Sequence, residues 1–451
     1  MFQTLKNAWK IPELKSKILF TLFIIVIYRL GAQIPVPWVS GDALEAMFGT
    51  TSGSALAWLN IMSGGALGQA TLFALAVSPY ITASIVIQLL TVAIPKFEEW
   101  SKEGEAGKKK LSAITRGLTV ALALVTSIGY TMLLKNQGML TGIANYAEWQ
   151  KWLAYVIIVV TYCAGASLIM WLAEKINEHG VGNGISIILF ANIVTRLPNI
   201  FYSLWGRCFT RWASFAENDN WRLIQWPIGA VLFLLFLAIL VAVVVLVVWF
   251  SNSERRIPVQ YAKRVVGRKM YGGQSSSLPI KLDMAGVMPV IFASSIVSIL
   301  PTIAGFIPNT GFGKFVNNYL GTTSFPYIVL FLILTVAFAY FYIMISFNPV
   351  EVANNLQNNG GAVPGIRPGR PTVMYIKKIL NRITLLGAIF LCGLSGIPMI
   401  VNAVWTLIDG VGIPDLAFSG TSLLIVVGVA LETFRQIEAQ ITLRNYKGFL
   451  D

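Results

Sequence analysis

The chain has 451 residues, 56% of them apolar and only 12% charged, with a formal net charge of +14. A water-soluble fold of this length has too little polar surface to cover so many Leu, Ile, Val and Phe side chains, so lipid is the expected solvent for most of them. Cys163, Cys208 and Cys392 are isolated, with no CxxC or Cys/His spacing, which excludes a disulfide framework or a cysteine metal site.

Apolar runs of about 18 or more residues read as membrane-spanning helices, since roughly 20 residues at 1.5 Å each cross the hydrocarbon. Ten are predicted, near 18–34, 72–94, 118–134, 152–173, 185–200, 228–250, 284–307, 327–347, 383–401 and 421–434. An even number returns the chain to its starting side. Lys and Arg resist translocation, and about 26 of the 34 fall on the face shared by the termini, against about 8 on the other. Both termini are therefore expected in the cytoplasm. Lys15 and Lys17 ahead of the first run have the form of a secretory signal, but the nine runs that follow favour a retained span.

Several segments depart from plain spans. Residues 58–69 are apolar but short and rich in small side chains, and they precede Ser78-Pro79, where Ser is placed to cap and Pro to occupy the first helical turn. This predicts a half-helix, a break and then a full span. Irregular backbone at that depth survives only beside protein or a water-filled cavity, which points to an aqueous interior. An amphipathic segment lying on the outer surface is the alternative. Gly104-Glu-Ala-Gly-Lys108 lacks the spacing of a phosphate loop, and Gly180-Val-Gly-Asn-Gly184 follows a membrane helix rather than a strand, so both read as turns. No nucleotide site is evident, and uphill movement would need a partner or an ion gradient.

The spans divide five and five around a segment at 201–226, a division compatible with an inverted repeat. Two loops on the basic face exceed the needs of a connector. In 251–283, the alternation of Ile257, Val259 and Tyr261 predicts a strand, and Gly267 a turn into a second. In 348–378, Gly365-Ile-Arg-Pro-Gly-Arg-Pro371 is dense in residues that shape backbone. Both suit acidic partners, RNA or lipid headgroups.

Reactive chemistry is scarce. His179 is the single histidine, and no paired carboxylates or metal-ligand sets occur, so neither an enzyme, a metal nor a cofactor is expected. Arg29, Glu174, Lys175 and Glu432 lie near span ends, whereas ion-coupled transporters need ionisable groups near the midplane, which weighs against that rival class. Ile81 and Ile85, like Ile185 and Leu189, are four apart and share a helix face. Spacing alone makes them packing or lipid-facing positions.

Ser63-Gly-Gly-Ala-Leu67, Ser78-Pro-Tyr-Ile-Thr-Ala-Ser-Ile85, Lys102-Glu-Gly-Glu105, Gly182-Asn-Gly-Ile-Ser186, Tyr261-Ala-Lys-Arg264, Ala285-Gly-Val-Met-Pro289, Phe292-Ala-Ser-Ser295, Val363-Pro-Gly-Ile-Arg-Pro-Gly369 and Gly420-Thr-Ser-Leu-Leu-Ile425 occur in the order found in the SecY family, the pore subunits of the bacterial secretion translocon. The chain resembles that family over nearly its whole length, and the wording of the 363–369 loop resembles the bacterial members. The resemblance implies an all-α integral membrane protein, with ten transmembrane helices in two pseudo-symmetric five-helix halves and a short re-entrant plug helix. The halves would be residues 1–200 and 228–451, joined by an external hinge at 201–227.

By the same resemblance, Ile81, Ile85, Ile185, Leu189, Ile291 and Ile425 form an aliphatic pore ring. The plug spans about 59–70 and includes Ile61, Met62, Ser63, Gly64, Gly65, Ala66 and Leu67. The second, third, seventh and eighth helices form a lateral gate, with Ile87, Gln88, Thr126, Ser294 and Ser295 along it. Arg255, Arg256, Lys263, Arg264 and Arg367 belong to docking loops for the motor SecA and for ribosomes. Implied partners also include SecE, SecG, signal peptides, unfolded preproteins and membrane lipids, in a bacterial plasma membrane. Two positions depart from the pattern. Leu189 stands where Ile is commoner, and Ala76 where the family usually has Gly, a change expected to stiffen the link from plug to helix.

Overall fold

The computed structural model describes residues 9–41, 43–44, 60, 62–143, 146–210, 222–261, 264–266, 269–271, 275–307, 310–321, 324–409 and 414–447. Every predicted apolar run falls on a helix. In chain order these are α1 Pro12–Gly31, α2 Ser78–Ala93, α3 Pro95–Lys102, α4 Glu105–Asn136, α5 Glu148–His179, α6 Gly184–Thr210 and α7 Arg222–Asn252. Strands β1 Glu254–Tyr261, β2 Arg264–Val266, β3 Lys269–Tyr271 and β4 Ser275–Lys281 follow. Then come α8 Met288–Phe306, α9 Gly311–Tyr319, α10 Phe325–Ser346, α11 Pro349–Asn358, β5 Gly361–Ala362, α12 Arg370–Asp409 and α13 Pro414–Lys447.

Five helical stretches are long and apolar enough to cross a bilayer by length and composition, or six when α2 and α3 are counted as one bent span. The apolar stretch of α7 is only 11% buried within the protein, so its surface is left to lipid. Together these features describe a multi-pass membrane protein.

Proline and glycine set the joints. Ile94 precedes Pro95 and is extended (φ −116°, ψ 118°), as the ring of a following proline requires, and the chain turns by 102° between α2 and α3. Gly104 (φ 75°) opens α4, and the turn at 180–183 is closed by Asn177, whose Oδ1 accepts from Gly184 N at 2.7 Å. The 180–184 motif is a turn, as the sequence implies, but in the 104–108 motif only Gly104 is a turn residue and Glu105–Lys108 form the first turn of α4.

Two expectations need correction. The re-entrant helix does not extend through 59–70: Asn60 and Met62 are helical, but 63–70 is a series of turns. Gly64 (φ 69°), Gly65 (φ 96°) and Ala70 (φ 49°) adopt left-handed backbone, which interrupts a right-handed helix. Ile61 lies outside the described residues. The second span also begins at Ser78 rather than near residue 72, and its cap position is Val77, so Ser78 does not cap it. Ala76 just before it has φ 50°. That conformation costs a non-glycine residue about 1–2 kcal/mol. The Ala at this position therefore brings strain.

Helices α6 and α7 extend through 201–210 and 222–227, so part of the connecting segment is helical, while 211–221 lies outside the described residues. Helices from the two ends of the chain meet along two seams. On one, α8 packs against α2 and α4; on the other, α13 packs against α6.

The basic loops form one unit. The alternation in 251–283 does give β1, with Ile257 and Val259 buried and Tyr261 exposed. Gly267 lies outside the described residues, flanked by the β2–β3 pair. The order β4-β1-β5 then ties the second loop to the first: Gln260 pairs with Ala362 and Tyr261 with Gly361. Beneath the sheet, Ile257, Ile280, Val363, Ile376 and Leu380 share a small apolar core.

Candidate functional site

Five of the six ring candidates are buried at the centre of the helices. Ile81 (4% exposed), Ile85 (2%), Leu189 (1%), Ile291 (3%) and Ile425 (3%) share one apolar cluster, and Ile185 is half-buried against it. They come from α2, α6, α8 and α13, so both seams contribute. The four-residue spacing of Ile81/Ile85 and Ile185/Leu189 sets each pair on one helical face. Nothing in this group carries a hydrogen-bonding side chain.

Met62 and Ala66 join the same cluster, which brings the 62–67 segment onto the ring candidates. Polar groups fix that segment. Ser63 Oγ donates to Asn60 O (2.9 Å) and accepts from Leu67 N (3.1 Å), while Asn60 Oδ1 accepts from Gly68 N (2.8 Å). From α6, Asn192 Nδ2 donates to Met62 O at 2.8 Å, and from α4, Tyr130 OH donates to Leu67 O at 2.9 Å. The backbone of Gly64 lies so close to Asn192 and Arg29 that an added Cβ would sit 3.1 Å from Asn192 Oδ1 and 3.2 Å from the Arg29 guanidinium. Arg29 in turn donates to Ala191 O at 2.6 Å. Glycine is needed here for both its conformation and its size.

The gate candidates lie on or near the α2–α8–α4 seam. Ile87, Ser294 and Ser295 are buried; Gln88 and Thr126 are half-buried. Ser294 and Ser295 hydroxyls both donate to Ile291 O, at 2.9 and 2.8 Å, and Thr126 donates to Leu122 O. These hydroxyls are satisfied within their own helices rather than across the seam. Further along, the Phe306 ring of α8 fills the space over Gly129 of α4.

On the platform, Arg255, Arg256 and Arg367 are exposed. Arg256 is engaged by Glu254 at 2.7 Å, which offsets part of its charge. Arg367 stands on a loop shaped by Gly365 (φ 79°) and Gly369 (φ 94°), with its carbonyl accepting from Thr372 Oγ1 at 2.9 Å. Lys263 lies outside the described residues, and Arg264 falls in β2. At the junction with the spans, Ser251 Oγ donates to Asp283 Oδ2 at 3.1 Å, and Arg435 of α13 donates to Ser251 O and to Asn252 Oδ1. Burial pushes the Asp283 carboxyl above the ordinary range, against the opposing pull of Ser251, the Gly286 N–H, Arg435 and Lys281.

Sequence reasoning missed Asn192, Tyr130 and Asn60. Asn192 carries a signal: it is an amide inside an otherwise apolar run, and such groups in membrane helices need a partner. Asn60 and Tyr130 are legible only once the turns at 63–70 are known.

A multi-pass helical protein with a bare aliphatic cluster at its core, a polar-fastened segment against it and a basic platform has the arrangement expected of a membrane transport protein. The sequence profile of the SecY family matches residues 71–434. The protein translocase subunit SecY of Mycobacterium tuberculosis is 41% identical over 463 residues, covering all of both chains. The chain belongs to the SecY family. Its fold is similar to a solved protein conducting channel, with TM-score 0.59, 17% identity and coverage of 94% and 92% of the two chains. It is also similar to Sec61 in the canine ribosome-channel complex, with TM-score 0.56, 16% identity and the same coverage. The resemblance carried by the nine motifs is thus borne out.

Proposed function

We propose that this protein is the pore subunit of a channel that passes unfolded secretory polypeptides across the membrane and releases apolar segments sideways into lipid. Its sites would be those inferred above: the ring at Ile81, Ile85, Ile185, Leu189, Ile291 and Ile425, the plug around 59–70, and the gate between α8 and α2/α4. The observation that carries this reading is the convergence of the aliphatic candidates from four helices with the 62–67 segment against them. A narrow apolar constriction resists ion flow by dewetting, and flexible aliphatic side chains seal without directional bonds that would arrest an arbitrary polymer.

Sideways release follows from partitioning. A signal core of about ten Leu-like residues gains roughly 3–6 kcal/mol in the bilayer at about 0.3–0.6 each. A polar stretch gains nothing and continues through the pore. The hydroxyl-lined seam at Ser294 and Ser295 supports a gate of low polarity cost. The platform joining Arg255, Arg256 and Arg367 would receive the SecA motor or a ribosome, and SecE and SecG would complete the assembly in a bacterial plasma membrane with both termini cytoplasmic. The ribosome-bound state of the similar Sec61 chain supports the docking part of this reading.

The test is Ile425→Asn in vesicles reconstituted with the partner subunits. An amide in the ring should raise ion leak and relax the requirement for a signal sequence. Unchanged leak together with unchanged signal selectivity would refute the ring assignment.

A further inference from the structure

Helix α9 follows α8 at the end remote from the basic platform and has three distinct sides. Val316 is buried against the protein (1% exposed), and Gly313 beside it is buried as well. Phe312 (44% exposed), Phe315 (57%) and Tyr319 (58%) stand at i, i+3 and i+7, which aligns them on a second side. Lys314, about opposite that aromatic side, is exposed. Thr310 holds the helix start, its Oγ1 accepting from Gly313 N at 3.1 Å.

The aromatic side continues the surface of the neighbouring helices. Leading in, Ile299, Ile303 and Ile307 form an exposed row at successive turns of α8 and just past its end. Leading out, Phe325 and Val329 begin a similar row on α10, which belongs to a stretch long and apolar enough to cross a bilayer. Three exposed rings continuous with lipid-facing rows need a medium that accepts their faces and edges. Aromatic rings concentrate at the level of lipid headgroups, and short helices divided in this way lie flat in that layer.

We propose that α9 is an interfacial anchor: Phe312, Phe315 and Tyr319 insert at the headgroup–acyl boundary of the leaflet opposite the basic platform. The anchor fixes the far end of α8 in the bilayer. Because α8 also packs against α2 and α4, the lipid surface thereby bears on the seam between these helices.

The experiment uses the full chain with its three cysteines replaced by serine, reconstituted in phosphatidylcholine–phosphatidylglycerol vesicles. Phe315→Cys is labelled with bimane, with Phe312→Cys as a second reporter and Lys314→Cys as the control. Phospholipids spin-labelled just below the headgroup should quench the Phe315 and Phe312 sites more than phospholipids labelled at the chain end. Iodide present on both sides should quench the Lys314 site and leave the other two bright. Quenching of the aromatic sites by iodide alone overturns the proposal, and so does protection from both quenchers, the result expected if another protein covers the face. Stronger quenching by the deep label also overturns it, since that marks a buried span. The readout is depth, so it stands or falls apart from whether polypeptides are conducted.

Discussion

Asn192→Ala should loosen the 62–68 segment without disturbing the helices around it. The wild-type amide is fully buried, and its Nδ2 supplies a 2.8 Å hydrogen bond to Met62 O across the boundary between α6 and the turns. Leaving a buried carbonyl without that donor costs about 1–3 kcal/mol. Since 1.4 kcal/mol is a factor of ten, local opening should become about 5- to 150-fold more frequent. Amide hydrogen exchange reads this directly, because the Leu67 and Gly68 N–H groups donate to side chains of the same segment, Ser63 and Asn60. Their exchange should accelerate by that factor, while amides in the middle of α4 and α5 stay as slow as in wild type. Gly64→Ala should give the same local acceleration by another route, through its left-handed backbone and the crowding against Asn192 and Arg29. Unchanged exchange at Leu67 and Gly68 in Asn192→Ala would show that the segment is held by its own turns and not by α6.

Three further outcomes are expected. Arg367→Glu reverses an exposed charge on a loop whose shape rests on Gly365, Gly369 and Thr372, so motor-driven export should fail while the protein still inserts; normal export would remove the docking role. Cysteines at Ile87 and Ser294 joined by a short cross-linker should hold α2 to α8 and block export, and an unaltered export rate would show the gate to lie elsewhere. Asp283→Asn should abolish one acid-linked gain in stability. The folded carboxyl titrates above its unfolded value of about 3.9, so the folded state holds the extra proton between those two values and stability falls as pH rises through that window. Thermal unfolding in detergent should therefore show wild type gaining on the variant as pH drops toward 4; parallel curves would refute the burial argument.

The sequence carries the helices plainly because lipid imposes a long, uniform requirement. Each apolar run is a run of apolar residues whatever lies beside it, and all ten are helical. The places where reading fails are those where backbone geometry depends on side chains brought from elsewhere. Residues 63–70 have the composition of a small-residue helix, yet Ser63 and Asn60 capture the backbone donors and the glycines take left-handed angles, so turns win. The joining of the two basic loops was equally hidden, because the pairing of Gln260 with Ala362 links positions about a hundred residues apart that have no local signature. Ring candidates show an intermediate case. Their four-residue spacing shows that they share faces, but whether a face meets lipid or protein is decided only when α2, α6, α8 and α13 converge.

The arrangement combines two unlike kinds of contact, and the difference fits the two tasks proposed for them. The 62–67 segment is fastened by directional bonds to Asn192 and Tyr130, each of which is either made or lost. Such contacts define one resting position and release it at a finite cost, of order 1–3 kcal/mol for each bond left unsatisfied. The aliphatic cluster beneath has no such fixed geometry, so its side chains can re-form contact around a passing chain at nearly every displacement. If the fastenings were apolar, the segment would have no preferred register. If the constriction were polar, each bond to a passing polypeptide would be another point of arrest. The allocation of amides and hydroxyls to the segment, and of Ile and Leu to the ring candidates, therefore suits the proposed seal, which would have to open for unrelated sequences.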